Sequence, residues 1–133
     1  MSGIWGPALI DTERSKTSVF NINTSQAAAT YDLLTASGGD VQIESVTFYT
    51  SVAGVGLVSV SVQTNDTTPV EMLSAAEGAL AALTVGKNLK QFTTRTILAS
   101  TKKIQYTIVG TGSGGTIKAI IKWIPCVAGA ILS

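Results

Sequence analysis

Lys102-Lys103-Ile104-Gln105-Tyr106-Thr107-Ile108-Val109, then Gly110-Thr111-Gly112-Ser113-Gly114-Gly115, then Thr116-Ile117-Lys118-Ala119-Ile120-Ile121-Lys122-Trp123-Ile124-Pro125 is the stretch that decides the fold. Ile104, Tyr106 and Ile108 recur at every second position, and so do Ile117, Ala119, Ile121 and Trp123. Period-two alternation puts each set on one face of a pleated strand. The glycine cluster between them supplies the positive-φ geometries that a reversal uses, so the spacing predicts a β-hairpin paired antiparallel across residues 110–115. Lys118 and Lys122 point the other way, with Ile120 and Ile124 among them, which gives the second strand one wholly apolar face and one mixed face. Such a strand belongs in a sandwich or at an interface between subunits.

Upstream the same rhythm recurs in short pieces. Residues 17–22 mix β-branched and aromatic side chains and suit a first strand, closed by a turn at Asn23-Thr24-Ser25. That triplet also matches the N-glycosylation acceptor, but the opening residues do not read as a secretory signal, so a turn is expected. Residues 28–35, with Tyr31, Leu33 and Leu34, form a second strand that ends at Ser37-Gly38-Gly39-Asp40. In the third, Val41 and Ile43 occupy one phase and Val46 and Phe48 the other, so a β-bulge at Glu44-Ser45 is expected to turn both pairs toward one core. Gly54 and Gly56 read as the next connection, after which Val58, Val60 and Val62 alternate against Ser59, Ser61 and Gln63.

The rhythm breaks near residues 74–83. Ser74 and Glu77 have capping-box spacing and a run of alanine and leucine follows, but Gly78 weakens it, so a short helical turn or ordered loop is expected there. A Thr-rich strand at 91–98 leads into the final stretch. About seven or eight short strands separated by turn signals, with no internal repeat, define an all-β, single-domain antiparallel β-sandwich or barrel.

Charged residues make up 13% of the 133, against roughly a quarter in an ordinary soluble domain, and mean hydropathy is +0.37. No uninterrupted apolar run approaches the roughly 20 residues of a membrane-spanning helix, so no membrane partner is expected. A chain this apolar is expected to bury surface against other subunits. With a net charge of +1 and scattered lysines, it lacks the basic patch of a nucleic-acid binder. The opening residues lack the n- and h-regions of a secretory signal, so synthesis in a cytoplasm is expected, and the single Cys126 fits that compartment.

Residues 1–15 read as an arm: Gly3, Gly6 and Pro7 defeat regular structure, while Ile4, Trp5, Leu9 and Ile10 are too apolar to be left in water. The organisation expected is this arm, a β-sandwich domain over 16–125, and a tail over 126–133. Ile4, Trp5, Leu9 and Ile10 in the arm, with Pro125, Val127, Ile131 and Leu132 at the other end, are the candidate interface residues.

Catalytic chemistry has little to work with. There is no histidine, which excludes His-dependent triads and histidine-based metal sites, and one cysteine cannot build a thiolate cage. The eight carboxylates are dispersed. Gly110-x-Gly112-x-x-Gly115 formally fits a dinucleotide fingerprint, but that chemistry needs a helix after the loop, and here a strand follows. Trp123 and Tyr106 read as core or interface anchors. No enzyme, cofactor or metal is expected.

From Thr17 onward the chain resembles the head decoration or cement proteins of tailed bacteriophages. The features that carry the resemblance are the strand Val41-Gln42-Ile43-Glu44-Ser45-Val46, the Thr-, Gly- and Ala-rich middle, and the ending Ile117-Lys118-Ala119-Ile120-Ile121-Lys122-Trp123-Ile124-Pro125. The Ala-rich segment 75–82 departs from that pattern. The resemblance implies a jelly-roll-like β-sandwich, often a homotrimer, made in the host cytoplasm. It would sit on the outer surface of the virion capsid, bind the major capsid protein and tie neighbouring capsomers together, with no catalytic residues. The alternative is a β-sandwich module of a tail fibre or baseplate that binds a receptor or carbohydrate, which would need exposed aromatics beside polar groups in a groove.

Overall fold

The computed structural model describes residues 15–133. Eight strands follow one another: β1 (Lys16–Asn23), β2 (Ala29–Ser37), β3 (Val41–Thr64), β4 (Glu71–Leu73), β5 (Asn88–Phe92), β6 (Thr96–Leu98), β7 (Lys103–Pro125) and β8 (Ile131–Leu132). The predicted hairpin at residues 110–115 is not there. β7 runs unbroken through the glycine cluster, β3 runs equally unbroken through Gly54 and Gly56, and the two pair antiparallel from Val41↔Pro125 to Thr64↔Ile104. The glycines that read as a reversal and as a connection are the middle of one long two-stranded ribbon.

That ribbon is folded back on itself. Ala36 N–H donates to Lys102 O and Cys126 N–H donates to Asp40 O, each at 3.0 Å. Residues 36 and 40 are four apart, hence within about 14 Å, whereas a straight strand of 23 residues would be about 75 Å long. Both ends of β7 therefore meet at the β2–β3 turn, and the bend lies at the glycines. It divides the sheet into two halves that share β3 and β7. In the first half, β1 pairs with residues 116–123 of β7, whose other side is the start of β3, edged by β5 and β6. In the second, β2 pairs with residues 103–108 of β7, whose other side is the end of β3, edged by β4, while β8 lies beyond β2. The result is a jelly-roll-like antiparallel β-sandwich made from one folded sheet.

Why glycine is needed at the bend is visible at Thr24, in the β1–β2 turn. Its N–H donates to Gly115 O at 3.1 Å and its Oγ1 donates to Gly114 O at 2.9 Å. A Cβ on Gly112 would stand 2.3 Å from Thr24 O, and one on Gly115, at φ +119, would stand 2.2 Å from Thr24 Oγ1. The turn presses directly on the ribbon's backbone, and no side chain fits between them.

The alternation itself holds. Ile104, Tyr106, Ile108, Ile117, Ala119, Ile121 and Trp123 are all buried, and residues from both halves form one hydrophobic cluster with Ile22, Ile43, Phe48, Val60 and Val62. The polar tips of the large aromatics are satisfied: Trp123 Nε1–H donates to Ser18 Oγ at 3.0 Å, and Tyr106 Oη–H donates to Gln26 Oε1. The bulge expected at Glu44-Ser45 is present, with a register shift between Ile43 and Ser45, and both Ile43 and Val46 are buried. At Val58 the expected phase fails. Another register shift, the last of several around the bend, falls between Leu57 and Ser59, turns those two inward and leaves Val58 61% exposed.

The break at 74–83 is an ordered turn closed by a short 3-10 turn, Leu80–Ala82. Its capping box is formed: Ser74 N–H donates to Glu77 Oε1 at 2.9 Å and Glu77 N–H to Ser74 Oγ at 3.1 Å. The Ser74 N–H bond, aided by Lys90 at 3.0 Å, holds the Glu77 carboxyl below its ordinary range. The segment does not lengthen into a helix because it is pressed on β3. Val60 N–H donates to Gly78 O at 2.9 Å, and a Cβ on Gly78 would fall 1.9 Å from Val60 O.

Candidate functional site

Among the described residues nothing converges as a reaction centre. No group of histidine, cysteine, aspartate and glutamate is placed to hold a metal ion, no concave pocket opens, and no helix is long and apolar enough to cross a membrane. Cys126 is exposed, and partial desolvation, then the nearby Asp40 charge, pushes its thiol up, away from the thiolate a nucleophile needs. What the fold offers to a partner is surface, and its surfaces differ sharply in chemistry.

The outer face of the second half-sheet is polar and satisfied within itself. Its cross-strand rows are Thr30–Thr107–Ser61 and Asp32–Gln105–Gln63–Glu71. The Thr30 and Thr107 hydroxyls bond at 2.8 Å, Lys103 Nζ donates to Asp32 Oδ2 at 2.7 Å and Gln105 Nε2 donates to Asp32 Oδ1 at 2.8 Å. The Lys103 bond, followed by that of Gln105, holds the Asp32 carboxyl below its ordinary range. Of the two charges on these rows, Asp32 is paired with Lys103 from the neighbouring row and Glu71 stands in water, as suits a solvated face.

The outer face of the first half-sheet is different. Its rows are Val19–Ile120–Thr47–Gln91, Asn21–Lys118–Tyr49–Asn88, Thr17–Lys122–Ser45 and Ile124–Gln42–Ile97. Val19 is 56% exposed and Ile97 53%. Lys118 Nζ lies 5.8 Å from the centre of the Tyr49 ring. Among the described residues the one carboxylate here, Glu44 in the bulge, faces Arg95 at 3.9 Å, and neither Lys118 nor Lys122 has a carboxylate within ion-pair distance. A further group of exposed apolar residues, Val52, Val55, Val58 and Val109, marks the bent end of the ribbon.

The residues expected to form an interface are distributed as follows. Ile4, Trp5, Leu9 and Ile10 lie outside the described residues. Pro125 is buried at the end of β7 opposite Val41, and Leu132 is buried in β8, so both pack in the domain's own core. The segment 126–133 carries β8, which pairs with β2, and Ser133 and Thr35 exchange backbone bonds at 2.7 and 3.0 Å. Only Val127 and Ile131, each about half exposed, present apolar surface there. The mixed face of Lys118, Ile120, Lys122 and Ile124 was visible in the alternation, but its company in β1, β3 and β6 was not.

No protein-family model matches the sequence, and no curated protein does. Solved structures do resemble the fold. A chain in the acid-stable capsid of Helicobacter pylori bacteriophage KHP30 superposes with a TM-score of 0.55 at 12% identity, over 90% of this chain and 97% of that one. The subviral particle of infectious bursal disease virus VP2 gives a TM-score of 0.37 at 12% identity, covering 88% of this chain and 39% of that one. A virus-like particle of Macrobrachium rosenbergii extra small virus gives 0.38 at 16% identity, covering 83% and 77%. The first of these shows a shared fold along nearly the whole of both chains.

Proposed function

We propose that this protein is a structural component of a bacteriophage virion, a decoration or cement protein that binds the outer surface of the head lattice and bridges capsid subunits. The observation that carries this reading is the fold shared end to end with a chain of similar length in a phage capsid. The absence of any converging site among the described residues suits a protein that acts through surface. The sequence resemblance to head decoration proteins points the same way.

The physical logic is multivalent. A small domain assembled as a homotrimer engages several lattice positions at once, so modest contacts become durable attachment through effective concentration. The shell gains stability because the bound protein favours the assembled lattice over its separated parts. The exposed Val127 and Ile131, and the arm residues Ile4, Trp5, Leu9 and Ile10, are proposed to contribute to the bridging.

The test mixes the purified full chain, its mass first read by light scattering as that of a trimer, with shells that lack it. Binding should be saturable and the temperature of heat-induced rupture should rise. Shells that bind the protein with no rise in rupture temperature, or fail to bind it, would overturn the cement role.

A further inference from the structure

Within that reading, we infer that the outer face of the first half-sheet is the surface that docks on the shell, and that it meets an acidic patch there through Lys118 and Lys122. The two outer faces of the sandwich make the choice. One has Lys103 and Gln105 both donating to Asp32, at 2.7 and 2.8 Å, so covering it would strip water from groups that gain nothing new. The other carries Val19, Ile120, Ile124 and Ile97 in alternate rows, with Lys118 and Lys122 alternating with Ile120 and Ile124 along β7 and no carboxylate beside either lysine among the described residues. Covering this face removes apolar area from water and leaves two cations to be paired.

Charge selects the occupant. Among the described residues Lys118, Lys122 and Arg95 stand against Glu44 alone, so a second copy laid face to face would oppose like charges, whereas a surface bearing carboxylates would complete the pairs. The lysines also alternate with the isoleucines along β7 instead of ringing them, which makes their pairing a matter of register as well as attraction. The size of the face explains why one copy is not enough. Four strands about 4.8 Å apart and about eight residues long cover roughly 500 Å². A stable interface buries about 800 Å² per partner, so durable attachment needs several copies acting together.

The experiment compares two full-chain variants whose net charge changes by the same amount. Lys118→Gln/Lys122→Gln removes two positive charges from the proposed docking face, and Ser61→Glu/Gln63→Glu adds two negative charges to the other. General attraction to an acidic shell falls equally in both, so only position separates them. With circular dichroism and trimer mass unchanged, the lysine variant should bind shells about ten-fold more weakly than the parent or worse, and the Ser61/Gln63 variant within about two-fold of it. A lysine variant that binds like the parent overturns the docking face and leaves the cement role standing. A lysine variant that loses its trimer mass shows that this face lies between copies, which also overturns the proposal. Failure of the parent itself to bind removes the cement role, and the docking face with it.

Discussion

Thr50 is wholly buried in β3 with its backbone in use, its N–H donating to Lys87 O at 3.0 Å and its carbonyl accepting from Gly86 N–H at 2.8 Å. Its Oγ1 has no hydrogen-bond partner among the described residues. The other wholly buried threonines are placed differently: Thr24 Oγ1 donates to Gly114 O at 2.9 Å, and Thr64 Oγ1 accepts from Val70 N–H at 2.9 Å. A hydroxyl taken out of water without a partner costs free energy that an isosteric methyl does not. Thr50→Val should therefore stabilise the domain by about 1 kcal/mol, read as a raised midpoint in urea with an unchanged slope. Thr64→Val, which orphans the Val70 N–H, should destabilise it by a similar amount. Equal effects of the two would show that the Thr50 hydroxyl is satisfied after all.

At the scale of elements, the glycine-rich middle of β7 is the decisive feature, and two neighbouring glycines test its role. A Cβ on Gly115, at φ +119, would fall 2.2 Å from Thr24 Oγ1 and 2.8 Å from Gly54 Cα, whereas one on Gly114 would meet only Val55 Cγ2 at 4.0 Å. Gly115→Ala should cost about 3 kcal/mol, combining backbone strain with displacement of the β1–β2 turn, and Gly114→Ala less than about 1 kcal/mol. A flexible hairpin loop would tolerate both alike, so comparable midpoints in urea would argue for the reversal that the sequence suggests. That suggestion failed for a definite reason. A reversal and a bend both demand glycine, and the group that distinguishes them, Thr24, lies 90 residues away from Gly114. The strand phases were legible because period two is local: every residue assigned inward between Ile104 and Trp123 is buried. The misread phase at Val58 follows from a bulge that β7 imposes from across the ribbon. The candidate interface divides in the same way. Hydropathy marks Leu132 and Ile131 alike, and only the pairing of β8 with β2 decides that one is core and the other surface.

For the whole molecule, the shared strands bear on how it unfolds. Two half-sheets joined by a loop would each own their strands, and one could open while the other stayed folded. Here β3 and β7 cross the bend and belong to both halves, Thr24 bonds the bend from the β1–β2 turn, and the buried residues of both halves lie in one cluster. Opening the second half would unpair Val60 from Ile108 and Val62 from Tyr106, expose core that the first half rests on, and release the turn that fixes the bend. The molecule should therefore unfold as one cooperative unit. Amides of residues 43–48 and 119–123 in the first half should show the same limiting free energy of hydrogen exchange as those of 60–62 and 106–108 in the second, each equal to the global value from denaturant. The chain must also close pairs such as Val41↔Pro125, 84 residues apart, before the core rewards it, so folding should take milliseconds to seconds, the range of non-local β topologies. A lower exchange free energy confined to one half would show that the bend acts as a hinge between separable sheets, and would exclude the single folded ribbon as the unit of stability.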